Sequence, residues 1–251
     1  MAGKLRQPGA RPKKRQVSVT EQGKAQSSGE RSSIRVDSTL RVSALFDRPR
    51  AAHCLLVLAH GAGAGMAHPS LQTIATGLAR RGIATLRYQF PYMEHNSRRP
   101  DSPTLCHTTV RAAVATAAQL APDLPLVAGG RSFGGRMTSQ AQAQAQAPLP
   151  GIRGLVFLGF PLHPAGRPGT ERAAHLRDID IPMLFIQGTR DALAELELLQ
   201  PIVARLGERA TLHWVQDADH AFHVPARSGR RDAAVHEEVL DVLAGWVADV
   251  I

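Results

Sequence analysis

At 251 residues and 43% hydrophobic content, the chain can bury the core of one large α/β domain or two small ones, and aromatics at 4% leave that core to Leu, Val, Ile and Ala. Its net charge of +9 is concentrated: residues 1–32 hold eight Lys/Arg against two acids, +6 in all, so the rest carries only +3, unremarkable for a soluble enzyme. The absence of any run of about 18 apolar residues excludes a transmembrane helix, and a basic start that meets Val17-Ser-Val19 and then polar residues, with no apolar h-region, argues against a secretory signal and for a cytoplasmic location.

Residues 1–32, rich in Gly, Ser, Gln, Pro and Lys/Arg without apolar period, are expected to form a disordered basic tail. Within it, Arg11-Pro-Lys-Lys-Arg15 has the charge for weak contact with nucleic acid or an acidic surface. It lacks interleaved aromatics, so no nucleic-acid partner is expected beyond that. Residues 33–251 are expected to form the domain. Alternation over 34–46 fits a pair of strands ending at Asp47-Arg-Pro49. The apolar run 54–59 predicts a central parallel strand, followed by the glycine-rich His60-Gly-Ala-Gly-Ala-Gly65. Residues 69–81 predict a helix with Leu71, Ile74 and Leu78 on one face and Gly82 as its stop.

A strand is predicted over 83–88, a polar loop over 91–103 and a helix from about 105 to 120. Then comes the stretch around which the rest is arranged. Leu126 to Ala128 reads as a buried strand, Gly130-Arg-Ser-Phe-Gly134 fits G-x-S-x-G, and 136–147 reads as a helix despite its period-two Ala-Gln run, ended by Pro148 and Pro150. Downstream, strands are predicted over 152–160, 183–187 and 210–215, and helices over 193–206, stopped by Gly207, and 231–247. The segment 161–180 is a short excursion with a helical turn or two near Ala173. Strands alternating with helices give an α/β fold, a mostly parallel sheet covered on both faces. Cys54 and Cys106 read as two reduced, buried thiols.

A serine hydroxyl needs a base to take its proton, and the base needs an anion to hold its tautomer. In a parallel sheet these groups gather at the carboxyl ends of the strands, in the chain order Ser, acid, His. Ser132 is the candidate nucleophile. Asp178 and Asp180 precede a strand, at its wrong end, and Asp217 and Asp219 suit the shaping of a loop. Asp191 follows the strand over 183–187 at the correct end and is the candidate acid. His220, after the last strand, is the candidate base, with His223 as its rival. Ser132 and Asp191 are 59 residues apart, Asp191 and His220 29, each room for one or two strand–helix units. The oxyanion needs backbone N–H donors: Phe133, next after the nucleophile, and Ala62 in the loop after the 54–59 strand, with Gly63 next in line. The Gly61–Gly65 run lacks the spacing of a nucleotide cradle, and no paired cysteines or H-x-x-x-H helix suggest a metal, so no cofactor is expected.

Leu58-Ala-His-Gly-Ala-Gly-Ala-Gly65, Gly129-Gly-Arg-Ser-Phe-Gly-Gly-Arg136, Phe157-Leu-Gly-Phe-Pro-Leu-His-Pro164, Gln187-Gly-Thr-Arg-Asp191 and Ala218-Asp-His220 together resemble the α/β-hydrolase superfamily. More closely, they resemble its dienelactone-hydrolase-like branch, whose relatives include a testis-expressed protein and a subunit of the non-specific-lethal chromatin complex. The resemblance implies an eight-stranded sheet and a triad on Ser132, Asp191 and His220. The excursion over 161–180 is too short for a large helical cap, which leaves a fairly open site edged by Arg131, Arg190 and the 88–99 loop. The expected activity is hydrolysis of a small carboxylic ester or thioester through an acyl-enzyme. The alternative is a non-catalytic α/β-hydrolase scaffold with the basic tail as a docking arm. The sequence specifies neither the substrate nor an oligomeric state.

Overall fold

The structure, a computed structural model, describes residues 29–251. The reading of 1–28 as a disordered tail lies outside the described residues. The first strand, β1 (Glu30–Arg35), takes in residues that composition assigns to that tail, because Glu30 to Ser32 pair antiparallel with Ala44 to Phe46 of β2 (Arg41–Asp47).

Eight strands form one sheet. The remaining six are β3 (Cys54–Ala59), β4 (Ile83–Tyr88), β5 (Leu126–Arg131), β6 (Ile152–Leu158), β7 (Met183–Gly188) and β8 (Ala210–Val215), in the order β1-β2-β4-β3-β5-β6-β7-β8. From β4 to β8 all neighbours are parallel; β2 runs antiparallel to β4. Strands β3, β4 and β7 are buried along their whole length, because helices on both faces leave neither side to water. Helices α1 (Pro69–Arg80) and α6 (Asp232–Val250) cover one face, burying Leu71, Ile74, Leu78, Val239 and Leu243. Helices α3 (Pro103–Leu120), α4 (Phe133–Gln142) and α5 (Leu196–Leu206) cover the other. One-turn α2 (Pro91–Glu94) lies within the 91–103 loop, tied to β2 by the Glu94 carboxylate, which accepts from Ser43 N and Oγ at 3.0 and 2.6 Å.

Two helix readings shift. α5 begins at Leu196, leaving 193–195 in the loop behind Asp191. α4 spans 133–142, not 136–147. It starts directly behind Ser132, where packing against β5 overrides the low helix propensity of Gly134 and Gly135. It stops early because Ala143 caps it and the Gln142 side chain turns back to accept from Leu149 N at 2.8 Å. The Ala-Gln pairs beyond are turns. The segment between β6 and β7 carries only a 3-10 stretch, Glu171–Asp178, and no cap domain. Cys54 and Cys106 are free and buried, and burial pushes both thiols up to about 12.

Candidate active site

β5 lies in the middle of the sheet, and the chain leaves its carboxyl end through Ser132 at φ 49°, ψ −115°, a strained backbone position for a residue with a side chain. Such a turn forces close approach. A Cβ on Gly130 would stand 2.5 Å from Ala59 O and 2.9 Å from Gly135 N; one on Gly134 would stand 2.5 Å from His60 O. Only glycine fits at either position. The turn therefore lifts the Ser132 side chain above the strand ends while α4 starts beneath it.

Asp191 and His220 arrive at the same place from β7 and β8. His220 Nε2 is 2.8 Å from Ser132 Oγ, and its Nδ1 is 2.6 Å from Asp191 Oδ2. Asp191 is 3% exposed, and a buried carboxylate needs donors. Gln187 Nε2 donates to Oδ2 at 2.5 Å, and Leu193 N donates to Oδ1 at 2.8 Å. Gln187, wholly buried at the end of β7, accepts from Phe160 N at 2.8 Å, which locks the orientation of its amide. On the other side, Arg131 donates to His220 O at 2.8 Å and lays its guanidinium 5.4 Å from the centre of the Phe222 ring. Burial pushes the Arg131 pKa down, and the nearby carboxylates of Asp191 and Asp219 oppose that.

The other acids go where the sequence order places them. Asp178 lies beside Arg177, and Asp180 beside Arg209. Asp219 Oδ1 accepts from Ala221 N and His223 N at 2.7 and 3.0 Å and so shapes the loop that carries His220. Asp217 occupies a turn at φ 61°. His223 is exposed and faces away, its Nδ1 2.8 Å from Asp232, whose carboxylate raises its pKa.

The loop after β3 passes on the opposite side of Ser132. His60 anchors it: Nε2 accepts from Phe90 N at 3.0 Å, so Nδ1 carries the hydrogen and donates to Gly61 O at 2.9 Å. Burial holds this imidazole down at about 4, neutral at ordinary pH. A Cβ on Gly61 would come 3.8 Å from Ser132 Cβ. Ala62, Ser132 and Phe133 line one cavity of about 430 Å³. Among the described residues, neither the Ala62 nor the Phe133 N–H has a protein acceptor.

Sequence order does not single out three features of this site. Gln187 reads as the last residue of an apolar strand. Arg136, one turn along α4 from Ser132, and Arg172, on the 3-10 stretch, both line the cavity, together with Asp101, Met137, Pro161 and Leu193. Arg136 has a signal in hindsight: once α4 starts at Phe133, position 136 shares the Ser132 side of its first turn. Arg172 has none. Arg190, expected at the rim, instead reaches Asp217 O at 3.5 Å. Among the described residues, no three His, Cys, Asp or Glu side chains gather where they would hold a metal ion.

The fold is shared with solved structures at low sequence identity. Dienelactone hydrolase from Anabaena variabilis superposes with a TM-score of 0.72 at 19% identity, over 89% of this chain and 98% of that one. A serine hydrolase without lid from Xanthomonas campestris gives 0.67 at 19%, over 87% and 94%. Est1E from Butyrivibrio proteoclasticus gives 0.61 at 17%, over 86% and 100%. Residues 52–248 match the family described as Alpha/beta hydrolase domain. That span runs from β3 into α6 and takes in Ser132, Asp191, His220 and both oxyanion-loop candidates; the chain belongs to the alpha/beta hydrolase domain family.

Proposed function

We propose that the protein is a serine hydrolase that cleaves a small carboxylic ester or thioester through an acyl-enzyme. The observation that carries the reading is the unbroken line Ser132 Oγ–His220–Asp191, with contacts of 2.8 and 2.6 Å, ending on a buried carboxylate. Ser132 Oγ attacks the carbonyl carbon as His220 Nε2 takes its proton. Asp191 keeps the remaining proton on Nδ1 and stabilises the imidazolium that forms. The tetrahedral oxyanion accepts from the N–H groups of Phe133 and Ala62. Collapse breaks the bond to the alcohol or thiol, which leaves with the proton from His220. Water then repeats the sequence on the acyl-enzyme, releasing the acid and restoring Ser132. Each step uses the chain's own groups, and no cofactor enters it.

Within the family, the motifs around His60, Ser132 and Asp191 support a place in the dienelactone-hydrolase-like branch, beside the testis-expressed and non-specific-lethal-complex relatives. The two free buried thiols fit a cytoplasmic location.

A fluorophosphonate probe tests the reading. The wild type should label, and Ser132→Ala should lose both labelling and hydrolysis of p-nitrophenyl esters, by about 10⁴-fold or more. Folded wild-type protein that fails to label at Ser132 would leave the scaffold alternative standing instead.

A further inference from the structure

The loop that leaves β3 has little means of holding its own shape. Gly61, Gly63 and Gly65 alternate along it, and Gly63 sits at φ 76°. Its backbone closes on itself through Ala64 N to Gly61 O at 3.3 Å and His68 N to Gly65 O at 3.0 Å. Glycines give a loop freedom that it must lose on folding. An oxyanion donor has to be in place before the charge develops, so the Ala62 N–H depends on anchors outside the loop.

Those anchors come from one segment, the exit of β4. β4 lies beside β3, with Tyr88 opposite Ala59, so the chain leaving it runs alongside the loop. On one side of Ala62, His60 Nε2 accepts from Phe90 N at 3.0 Å. On the other side, Met66 is gripped at both ends of its backbone. Its N–H donates to Gln89 Oε1 at 2.8 Å, and its carbonyl accepts from Arg87 Nη1 at 3.2 Å. Arg87 is wholly buried and paired with Asp47. Gln89 is itself tied to β2, its N–H donating to Ser43 O at 2.9 Å. The fit is close: a Cβ on Gly65 would stand 2.9 Å from Gln89 Oε1.

The other oxyanion donor, Phe133, reaches the same segment. The Phe90 ring lies edge-on to the Phe133 ring, with 5.5 Å between centres, and edge-on to the His60 ring, at 5.0 Å. One residue thus touches both halves of the hole. We infer that the exit of β4 positions the oxyanion hole: Gln89 fixes the loop that carries Ala62, and the Phe90 ring sets that loop against Phe133. Both are positioning residues, acting through the two donors.

The inference rests on the hydrolase reading, and its test separates the two. Butyl trifluoromethyl ketone and butyl methyl ketone are the probes. Ser132 Oγ adds to the fluorinated carbonyl as its proton passes to His220, and the oxyanion so formed occupies the hole; the methyl ketone resists that addition. The ratio of their inhibition constants reads the hole, alongside kcat and KM for p-nitrophenyl butyrate. Gln89→Met, which removes the acceptor at similar volume, should lower kcat and weaken the fluorinated ketone by the same factor, about 10–100-fold. KM and methyl-ketone binding should stay within about threefold of wild type. Gln89→Glu, which keeps an acceptor oxygen, should recover both losses to within about fivefold of wild type. Gly65→Ala, whose methyl pushes the Gln89 amide aside, should repeat the loss from the loop side. Phe90→Leu should cost about 100-fold in both readouts. Gln142→Met controls for generic loosening. It deletes the same kind of bond, to Leu149 N, at the far end of α4, and should leave both readouts within about twofold of wild type. Thermal unfolding checks that each variant is folded. An unchanged ketone ratio in folded Gln89→Met, a loss confined to KM, or an equal loss in Gln142→Met overturns the inference and leaves hydrolysis at Ser132 intact. A wild type that neither turns over the ester nor prefers the fluorinated ketone overturns the hydrolase reading, and this inference with it.

Discussion

Ser132 and its two partners reach one point above the sheet by different physical means. The serine is held by its own backbone: a strained turn, glycines on both sides of it, and a strand and helix packed too closely for any Cβ at position 130. Neither Asp191 nor His220 is itself at positive φ. Side chains from elsewhere hold them: Gln187 and the Leu193 amide grip the carboxylate, Arg131 grips the His220 carbonyl, and Asp219 ties the loop around it. Steric fixing tolerates no change at the contact itself. Hydrogen-bond fixing is divided over several partners, so losing one should loosen the site without abolishing the fold.

The largest effect should therefore come from Gly130→Ala. The added methyl meets two backbone atoms, Ala59 O and Gly135 N, and neither can yield without moving β3 or α4. A loss above about 4 kcal/mol is expected, with little folded protein recovered. Thermal unfolding and probe labelling read it directly. A variant that folds and labels like wild type would mean that the elbow is far more pliable than its contacts imply.

The same contrast governs what a reader of the sequence can and cannot see. Sterically fixed parts are local, so they leave local patterns. Gly130-Arg-Ser-Phe-Gly134 after an apolar run announces the turn, and the alternation of strands and helices announces the sheet that carries it. The order Ser132, Asp191, His220 follows from chain direction in a parallel sheet. Side-chain fixing spans both short and long separations, from Gln187 to Asp191 and from Arg131 to His220, and follows no periodicity. Gln187 looks like one more strand residue, and Arg131 looks like a rim charge rather than a clasp on His220. Arg172 owes its place in the cavity to a 3-10 stretch that no periodicity marks. Where local signals misled, tertiary contacts decided. α4 ends at Gln142 although Ala and Gln favour a helix beyond it, because Gln142 caps the following loop. β1 begins within a polar segment because β2 offers it an edge.

Gln187→Leu sharpens the comparison from the hydrogen-bonded side. The substitution keeps the volume roughly constant but removes the donor to Asp191 and the acceptor for Phe160 N. Stability should fall by about 2 kcal/mol, since a buried amide and a buried carboxylate oxygen each lose a partner. With Asp191 free to shift, His220 loses its orientation, and kcat should drop by about 10–100-fold with little change in KM. Chemical denaturation and ester kinetics on one preparation give both numbers. A drop confined to stability would show that Leu193 N alone suffices to aim the carboxylate.

The smallest effect belongs to the histidine that sequence order leaves as a rival. His223 is three residues from His220 and also pairs with an aspartate through Nδ1, so on paper the two look alike. Their surroundings separate them. Asp191 is buried and doubly supported, whereas Asp232 is nearly half exposed and the His223 side chain is 62% exposed. An exposed pair of this kind competes with water for both partners and is screened by salt, so it contributes little. His223→Ala should leave labelling and turnover within about twofold of wild type and shift stability by less than about 0.5 kcal/mol. His220→Ala should remove turnover almost as completely as Ser132→Ala, because without the base the hydroxyl keeps its proton. Loss of labelling in His223→Ala with retention in His220→Ala would transfer the role of base to His223. The Asp191 contact, and with it the distinction between locally and remotely fixed groups, would then need a different explanation.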